Sequence, residues 1–109
     1  MLDELLARLN LIPGIRFVEH EWAARPKGDF GTAQLDFMSA RDVGDDRHLE
    51  TAWQGSVDVF THGKKPEIAQ AVEAVLEDLF GSCWELNSQQ AERQTGLYHR
   101  EYVFDTEVE

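Results

Sequence analysis

The histidine side chains of this sequence could bind a metal ion or transfer a proton, because histidine titrates near neutral pH. The four histidines are His20, His48, His62 and His99. No two of them are three or four residues apart, which is the spacing that brings two ligands to one face of a helix. We therefore interpret them as ordinary surface or strand histidines and expect no metal site.

Oxygen ligands for a hard cation such as calcium could come from the acidic run between residues 41 and 47. Its carboxylates belong to Asp42, Asp45 and Asp46. The run lacks the alternating acidic positions and the terminal Glu of a calcium-binding hand. A solvated turn is therefore favoured over a cation site, and the sequence predicts neither a cofactor nor a metal ion.

Acid-base or nucleophilic catalysis would need a carboxylate pair or an activated thiol or hydroxyl. Asp36 and Asp58 both lie in candidate strands and could form such a pair, but carboxylates facing solvent on an antiparallel sheet explain them equally well. Cys83 has no base beside it and, next to Trp84, is expected to be a small core residue. The serines lack the flanking glycines of a nucleophile elbow, and no glycine-rich phosphate loop precedes a helix. We therefore assign no catalytic residue.

Aromatic residues beside an irregular loop are the clearest candidates for binding another protein. The stretch from Ala23 to Gly31 is predicted to be a surface loop, with Trp22 just before it and Phe30 near its end. An exposed aromatic side chain there could anchor a partner, since buried Trp and Tyr dominate interface energies. Alternatively, the two rings fold back over the core. The candidate interface residues are Trp22, Phe30, Asp42, Asp45 and Asp46.

The overall charge argues against a nucleic-acid-binding protein. The chain has 109 residues, with 21 Asp and Glu against 10 Lys and Arg, which gives a formal net charge of -11. A phosphate backbone would be repelled by this charge. Lys64 and Lys65 are the only adjacent basic pair, and two charges do not make a basic patch.

The length and composition predict a single domain, residues 1–109, and the lone cysteine is compatible with a reducing cytoplasm. Hydrophobic residues make up 42% of the chain and charged residues 28%, which is ordinary for a folded globular domain. Cys83 has no partner for an intrachain disulfide. The apolar stretches are only a few residues long, and no basic-then-apolar leader opens the chain. We therefore expect neither a membrane-spanning helix nor a standard secretion signal.

Hydrophobic periodicity predicts two helices. The first covers Leu2–Leu11 and stops at the Pro-Gly step that follows it. The second begins at Pro66, whose fixed φ suits a first helical position. Its apolar residues recur at positions zero, four, seven, eight and eleven counted from Ile68. Gly81 is well placed to end this helix.

Alternation of apolar and polar residues predicts the strands. They are expected at Ile15–His20, Ala33–Met38, Leu49–Thr61, Cys83–Leu86 and Leu97–Phe104. In the third strand Val57 and Val59 share a face with Gly55, which could mark a bulge or a close approach of the backbone. The polar run from Asn87 to Gly96 is predicted to be a loop or a strand edge. Because the strands come in runs, the sequence predicts an α+β fold, a two-layer sandwich of a mostly antiparallel or mixed sheet packed on one face by two helices.

Two segments and the helix between them resemble the layout of phage and prophage tail-completion proteins. The first runs from Ser56 to Glu67, SVDVFTHGKKPE, and the second from Leu97 to Phe104, LYHREYVF. In those families a strand ending in a Tyr-Thr or Phe-Thr step leads through a short basic turn into a helix, and a Tyr-rich strand closes the chain. The opening helix with its Pro-Gly stop also fits. The segment from Ala23 to Asp46 matches nothing in the family.

The resemblance implies a structural virion assembly protein without catalytic residues, a tail terminator or tail-completion subunit. Such a subunit forms a cyclic homo-oligomer, commonly a hexamer, at the head-proximal end of the tail. Its partners would be other copies of itself, the tail tube protein and the head connector, with no sequence-specific nucleic acid and no membrane. It would act in the virion, or in the host cytoplasm during assembly.

Contact surfaces for such a ring can be predicted on physical grounds as well. A cyclic ring uses two different patches on each subunit, and exposed strand edges or long loops supply them readily. The loops at residues 23–31, 41–48 and 87–96 are the candidates. Two alternative functions stay open. One is another head-tail connector component, and the other is a small acidic, immunity-type module that binds a basic protein.

Overall fold

The computed structural model describes residues 2–20, 28–39, 52–93 and 96–107. Its elements, in chain order, are α1 (Leu2–Leu9), β1 (Arg16–Glu19), β2 (Phe30–Ser39), β3 (Ala52–His62), α2 (Pro66–Phe80), β4 (Trp84–Ala91) and β5 (Leu97–Glu107). The five strands form one mixed sheet, and both helices pack on the same face of it. The predicted α+β fold of two layers is therefore confirmed.

The strand order in the sheet is β1-β2-β3-β5-β4. β1 and β2 run parallel, whereas the other three neighbouring pairs are antiparallel. The longest ladder joins β3 to β5, from Ala52 opposite Glu107 to His62 opposite Leu97, without a shift in register. β5 therefore lies inside the sheet, and β1 and β4 form its two edges.

The core lies between the sheet and the two helices. Its completely buried hydrophobic side chains are Leu5, Leu9, Val57, Val59, Val72, Leu76 and Tyr102. Successive strand residues point to opposite faces of a sheet, so the alternate residues lie on the face that carries no helix. We call this surface the helix-free face, and its residues include Phe30, Thr32, Gln34, Ser56, Asp58, Phe60, His99, Glu101 and Val103.

The second helix has the start and the end that the sequence predicts. Pro66 is its first residue, and the N–H of Gly81 donates to the carbonyl of Glu77 at 2.9 Å. Its buried residues are Ile68, Ala69, Val72, Val75, Leu76 and Phe80. The hydroxyl of Tyr102 donates to Glu73 at 2.7 Å and so ties β5 to the helix. In the described part of the chain, no helix has the length and hydropathy to cross a bilayer.

The largest difference from the predicted elements is in β4. This strand was expected to end at Leu86, but it continues to Ala91 by pairing with β5. The strand-edge alternative is therefore the correct one for residues 87–91. Asn, Ser and Gln have low or neutral strand propensity, so the pairing partner and not the local sequence decides the structure here. At β2, Phe30 and Gly31 belong to the strand and not to the preceding loop, because both pair with β3.

Cys83 also differs from its prediction, because it is exposed and not a core residue. It lies in the turn between α2 and β4, where its N–H donates to the carbonyl of Phe80 at 3.0 Å. Its own carbonyl accepts from the N–H of Asp105 at 2.9 Å. The turn therefore uses the backbone of Cys83 and leaves its side chain outside the core.

Gly55 marks a close approach of the backbone and not a bulge. The register runs through it without a shift, with Leu35 on one side and Phe104 on the other. A Cβ atom at this position would lie 2.4 Å from Cζ of Phe104 and 2.6 Å from the carbonyl oxygen of Gln34. Glycine thus lets the Phe104 ring lie against β3, where it stacks on Phe80 of α2 with ring centroids 4.2 Å apart.

Candidate functional site

Of the five candidate interface residues, the structure describes one. Trp22, Asp42, Asp45 and Asp46 lie outside the described residues, and so does the acidic turn considered for a cation. Phe30 is the first residue of β2, and only 4% of it is exposed. The pairing of β2 with β3 places Phe30 inside the sheet and not at a loop tip, and its role in an interface stays a prediction.

Phe30 begins a row of three stacked rings across the helix-free face. Its ring centroid lies 4.8 Å from that of Phe60 on β3, which in turn lies 4.3 Å from the imidazole of His99 on β5. The register produces the row, because Phe30 pairs with Phe60 and Phe60 pairs with His99. Cross-strand aromatic pairs of this kind stabilise a sheet by about 0.2–1 kcal/mol each.

A carboxylate and an imidazole are paired beside this row. Nε2 of His99 is 2.8 Å from Oδ1 of Asp58, and the two side chains are 19% and 17% exposed. Burial raises the pKa of Asp58, and the hydrogen bond with His99 opposes that rise only in part. Nδ1 of His99 lies 3.9 Å from Oε2 of Glu92, which is beyond hydrogen-bonding distance. The pair can hold a proton between its two members.

The Asp58–His99 pair lines a pocket of about 330 Å³ on the helix-free face. The remaining lining residues are Val18, His20, Phe30, Thr32 and Phe60. In the ladder Asp36 is opposite Gln54 while Asp58 is opposite Thr32, so the two positions are four residues apart along the strands. The side chain of Asp36 lies outside those that the structure describes, so the carboxylate pair stays a prediction. Asp58 does not face solvent as the alternative expects, because its side chain is 17% exposed and hydrogen-bonded to His99.

The histidines do not converge on a metal site in the described residues. His48 lies outside them, while His62 and His99 each lie against a different aspartate. Within residues 2–20, 28–39, 52–93 and 96–107, no group of three or more His, Cys, Asp or Glu side chains is arranged to hold a metal ion.

Asp29 organises the basic turn between β3 and α2, a role that the sequence did not indicate. Its side chain, 5% exposed, accepts from the backbone N–H of His62 at 2.9 Å and from Nζ of Lys65. It also lies 2.9 Å from Nδ1 of His62. Burial alone would raise the pKa of Asp29, but these donors together hold it below its usual value. No local pattern could have found the contact, because Asp29 is 33 and 36 positions away from its partners.

The same turn is held from the other side by β5. The guanidinium of Arg100, a buried residue, donates to the carbonyl of Lys64 at 2.7 Å and lies 4.6 Å from the ring centroid of Tyr98. Lys65 has a φ of 38°, in the left-handed region that residues with a side chain seldom adopt. The contacts of Asp29 and Arg100 therefore fix a turn whose own backbone is strained.

The outer edge of β4 is the open edge of the sheet. All of its residues from Glu85 to Ala91 are exposed, and in the described part of the chain only β5 pairs with it. Natural edge strands are often protected from further pairing by Lys or Pro. β4 contains neither residue type. Its outward backbone N–H and C=O groups are therefore accessible.

The opposite edge is protected. β1 has only four residues, and its outer backbone groups at Phe17 are occupied by the side chain of Asn10. Oδ1 of Asn10 accepts from the N–H of Phe17 at 2.8 Å, and Nδ2 of Asn10 donates to its carbonyl at 3.0 Å. An amide side chain thus stands where a further strand would pair. The two edges of the sheet are not equivalent.

An acidic depression of about 450 Å³ lies on the helix-free face beside β4. Its carboxylates belong to Glu85, Glu101 and Asp105, and none of the described residues that line it is a Lys or Arg. Glu101 and Asp105 flank Val103 along β5, and Glu85 is directly opposite Val103. The side chain of Asn87 donates to Oε1 of Glu101 at 2.9 Å. The depression therefore presents negative charge next to an open strand edge.

Comparison with known proteins supports the fold and shows no family. No family model matches the chain, and no curated protein matches it. Among solved structures, a chain described as "Virion of native gene transfer agent (GTA) particle" matches with a TM-score of 0.52 at 15% sequence identity. The match covers 94% of this chain and 83% of that chain. The likeness is one of fold and extends over nearly the whole chain.

Proposed function

We propose that this chain is a structural virion assembly protein, a tail-terminator or tail-completion subunit that forms a ring at the head-proximal end of a phage tail. The observation that carries the proposal is the likeness in fold, over 94% of this chain, to a chain from the virion of a native gene transfer agent particle. The resemblance of the strand, basic turn, helix and final strand to tail-completion proteins supports the same conclusion.

The contacts within the described residues join the segments on which this resemblance rests. β3 and β5 are neighbours in the sheet, and Arg100 of β5 donates to Lys64 in the turn. The side chain of Asp29 forms an ion pair with Lys65 of the same turn. The basic turn is therefore an integrated part of the fold, which supports a structural role.

We also propose that the protein is not an enzyme. The carboxylate and imidazole of Asp58 and His99 are paired with each other, and the His99 ring is stacked on Phe60. A catalytic role would require a nucleophile or a substrate group within hydrogen-bonding reach of the histidine. Both groups instead have a structural use, because they connect β3 to β5 on the helix-free face.

The proposed partners are other copies of this chain, the tail tube protein and the head connector. Each subunit of a cyclic ring needs two different patches. The open β4 edge is one candidate patch. The part of the helix-free face around the pocket of Asp58 and His99 is a second surface, which does not overlap the helices.

Light scattering after size-exclusion chromatography, over a series of concentrations, tests this function. The expected result is a ring-sized oligomer, or a monomer that binds the ends of purified tail tubes in electron micrographs. A monomer at every concentration that also leaves tail tubes unbound would contradict the proposal. Binding to portal complexes and not to tail tubes would identify a connector component.

The acidic depression favours one further candidate, the immunity-type module. Its carboxylates Glu85, Glu101 and Asp105 could face a basic protein. Stoichiometric co-purification with a basic nuclease, together with inhibition of that nuclease, would establish this candidate in place of the tail subunit.

A further inference from the structure

We propose that β4 accepts an extended basic segment of a partner protein as a sixth strand of the sheet, with Lys or Arg side chains of that segment in the acidic depression. This inference deepens the proposed function, because it states the chemistry of the partner. Only the identity of the protein that supplies the segment rests on the proposed function. The edge and its charges are properties of this chain.

The open edge supplies the backbone part of the site. In an antiparallel ladder each strand directs its N–H and C=O groups alternately to its two sides. β5 occupies one side of β4, so the other set points outward along Trp84–Ala91. At β1 the Asn10 side chain occupies the outward N–H and C=O of Phe17, and the strand has only four residues. Strand addition to this sheet is therefore directed to β4.

The register of β4 shows where a new strand would meet it. A shift between Leu86 and Ser88 leaves Asn87 out of the regular ladder. The regular part from Ser88 to Ala91 is four residues long. We expect the added strand to pair along this part first and to reach Glu85 beyond the irregularity.

The negative charge beside β4 determines which kind of segment can bind at this edge. An added strand lies about 4.8 Å from its neighbour, so a Lys or Arg side chain on the helix-free face can reach across β4 towards β5. There it would meet Glu85, Glu101 and Asp105, and the described residues that line the depression include no Lys or Arg. An acidic segment would be repelled. A second copy of β4 would bring its own Glu85, in a chain whose net charge is already -11.

The opposite face of β4 sets a second requirement. Leu86 is 38% exposed and lies on the helix side of the sheet, opposite Tyr102 in the ladder. An apolar side chain of the added strand would cover it. Because side chains alternate along a strand, the segment should alternate basic and apolar residues.

Peptide probes test the inference without any tail component. The first probe is a capped octapeptide of alternating Lys and Val, and the second replaces every Lys by Glu. Fluorescence anisotropy with a labelled peptide should show saturable binding of the Lys probe and binding at least about tenfold weaker for the Glu probe. Equal binding of the two probes would overturn the inference.

Two N-methylated forms of the Lys probe test strand pairing itself. One carries N-methyl groups on its odd residues and the other on its even residues. Only one of these sets of N–H groups faces β4 in a ladder, so one form should lose binding and the other should keep it. If both forms bind as well as the unmodified probe, the contact is electrostatic only and β4 does not pair.

Charge variants of the protein identify the surface. Glu85→Lys should weaken binding of the Lys probe about tenfold, whereas Glu4→Lys, an equal charge change on exposed α1, should leave it within about twofold. Should Glu85→Lys fold poorly, Glu85→Gln provides the same test with an expected loss of about threefold. Equal loss in the β4 and α1 variants would overturn the assignment to this edge.

The results of these experiments distinguish a failure of this inference from a failure of the proposed function. If the Lys probe fails to bind while the protein still caps tail tubes, the function stands and the β4 inference is wrong. If the probe binds as expected and tail tubes are not bound, the edge site stands and the tail function is wrong. A dimer in solution that Glu85→Lys dissociates would show that a second copy, not a basic segment, occupies the edge.

Discussion

Asp29 and Asp58 are both poorly exposed, yet their pKa values are shifted in opposite directions. Burial raises the pKa of each. At Asp29 the donors from Lys65 and His62 outweigh burial, whereas at Asp58 the hydrogen bond with His99 does not. The two carboxylates therefore affect stability differently, even though each lies beside a histidine.

Replacing Asp29 by Asn should destabilise the protein at neutral pH. Loss of the buried carboxylate, which accepts from charged and backbone donors, should lower the free energy of unfolding by about 2 kcal/mol at pH 7. Because the folded pKa lies below the usual 3.8, this stabilisation is present above pH 3.8 and is lost as the pH falls through the folded pKa. Urea unfolding should show a difference between wild type and Asp29→Asn that shrinks below that pH. A difference that does not depend on pH would contradict the ion pair.

The corresponding substitution Asp58→Asn should have the opposite effect on stability at neutral pH. The raised pKa means that the charged form of Asp58 is less favourable in the folded than in the unfolded protein at pH 7. The variant should therefore be at least as stable as the wild type at neutral pH. Its advantage should shrink as the pH falls through the raised pKa towards 3.8. Urea unfolding measures both, and a large loss of stability at pH 7 would show that the pair with His99 outweighs burial after all.

Gly55→Ala tests the close approach between β3 and Phe104. The added methyl group would lie 2.4 Å from the Phe104 ring, so the ring must move from its stack on Phe80. Overpacking of this kind costs about 1–3 kcal/mol. The control is Gln54→Ala, at the exposed neighbouring position, which should change the free energy of unfolding by less than about 0.5 kcal/mol. Equal stability of Gly55→Ala and wild type would contradict the close contact.

At the scale of elements, the sequence predicted α2 well and β4 poorly for physical reasons. α2 is specified locally, by an apolar stripe and by Pro66 and Gly81 at its ends. The polar run from Asn87 to Ala91 has no such local signal. It becomes a strand because β5 supplies its hydrogen-bond partners, and such pairing depends on residues distant in sequence.

The candidate site also combines features that the local sequence predicts with features that depend on residues distant in sequence. Alternation correctly placed Gly55 with Val57 and Val59, and the apolar and polar faces of β3 followed from it. The position of β5 between β3 and β4 could not be predicted, and this position brings His99 to Asp58 and leaves β4 at the edge. The Asn10 contact with Phe17 likewise depends on a turn between elements and not on periodicity.

Leu76→Ala tests how much of the stability comes from α2. Leu76 is completely buried against the sheet, and a Leu-to-Ala change in a core costs about 2–5 kcal/mol. Gln70→Ala, on the exposed side of the same helix, should be nearly neutral because Ala is also a good helix former. Thermal and urea unfolding of the two variants provide the comparison. Similar stability of the two would contradict the packing of α2.

For the whole molecule, the net charge of -11 predicts no binding to duplex DNA. Non-specific DNA-binding proteins have dissociation constants of about 10⁻⁴–10⁻⁶ M and bind more tightly at low salt. Fluorescence polarisation with a labelled duplex should show no binding at about 100 μM protein in low salt. Binding that weakens steeply as salt is added would contradict this prediction.

The position of β5 inside the sheet also has a consequence for biosynthesis. β4 pairs only with β5 among the described strands, and β5 follows β4 in the sequence. While the ribosome is still producing residues 97–107, β4 has no place in the sheet, and the nascent chain holds at most β1, β2 and β3 together. The sheet is completed by contacts distant in sequence, such as Asp58 with Glu101, and such contacts form slowly. A polypeptide in which residues 97–107 have not yet been made therefore lacks the ordered β4 edge, so a partner that recognises this edge would select molecules in which β5 is already in place.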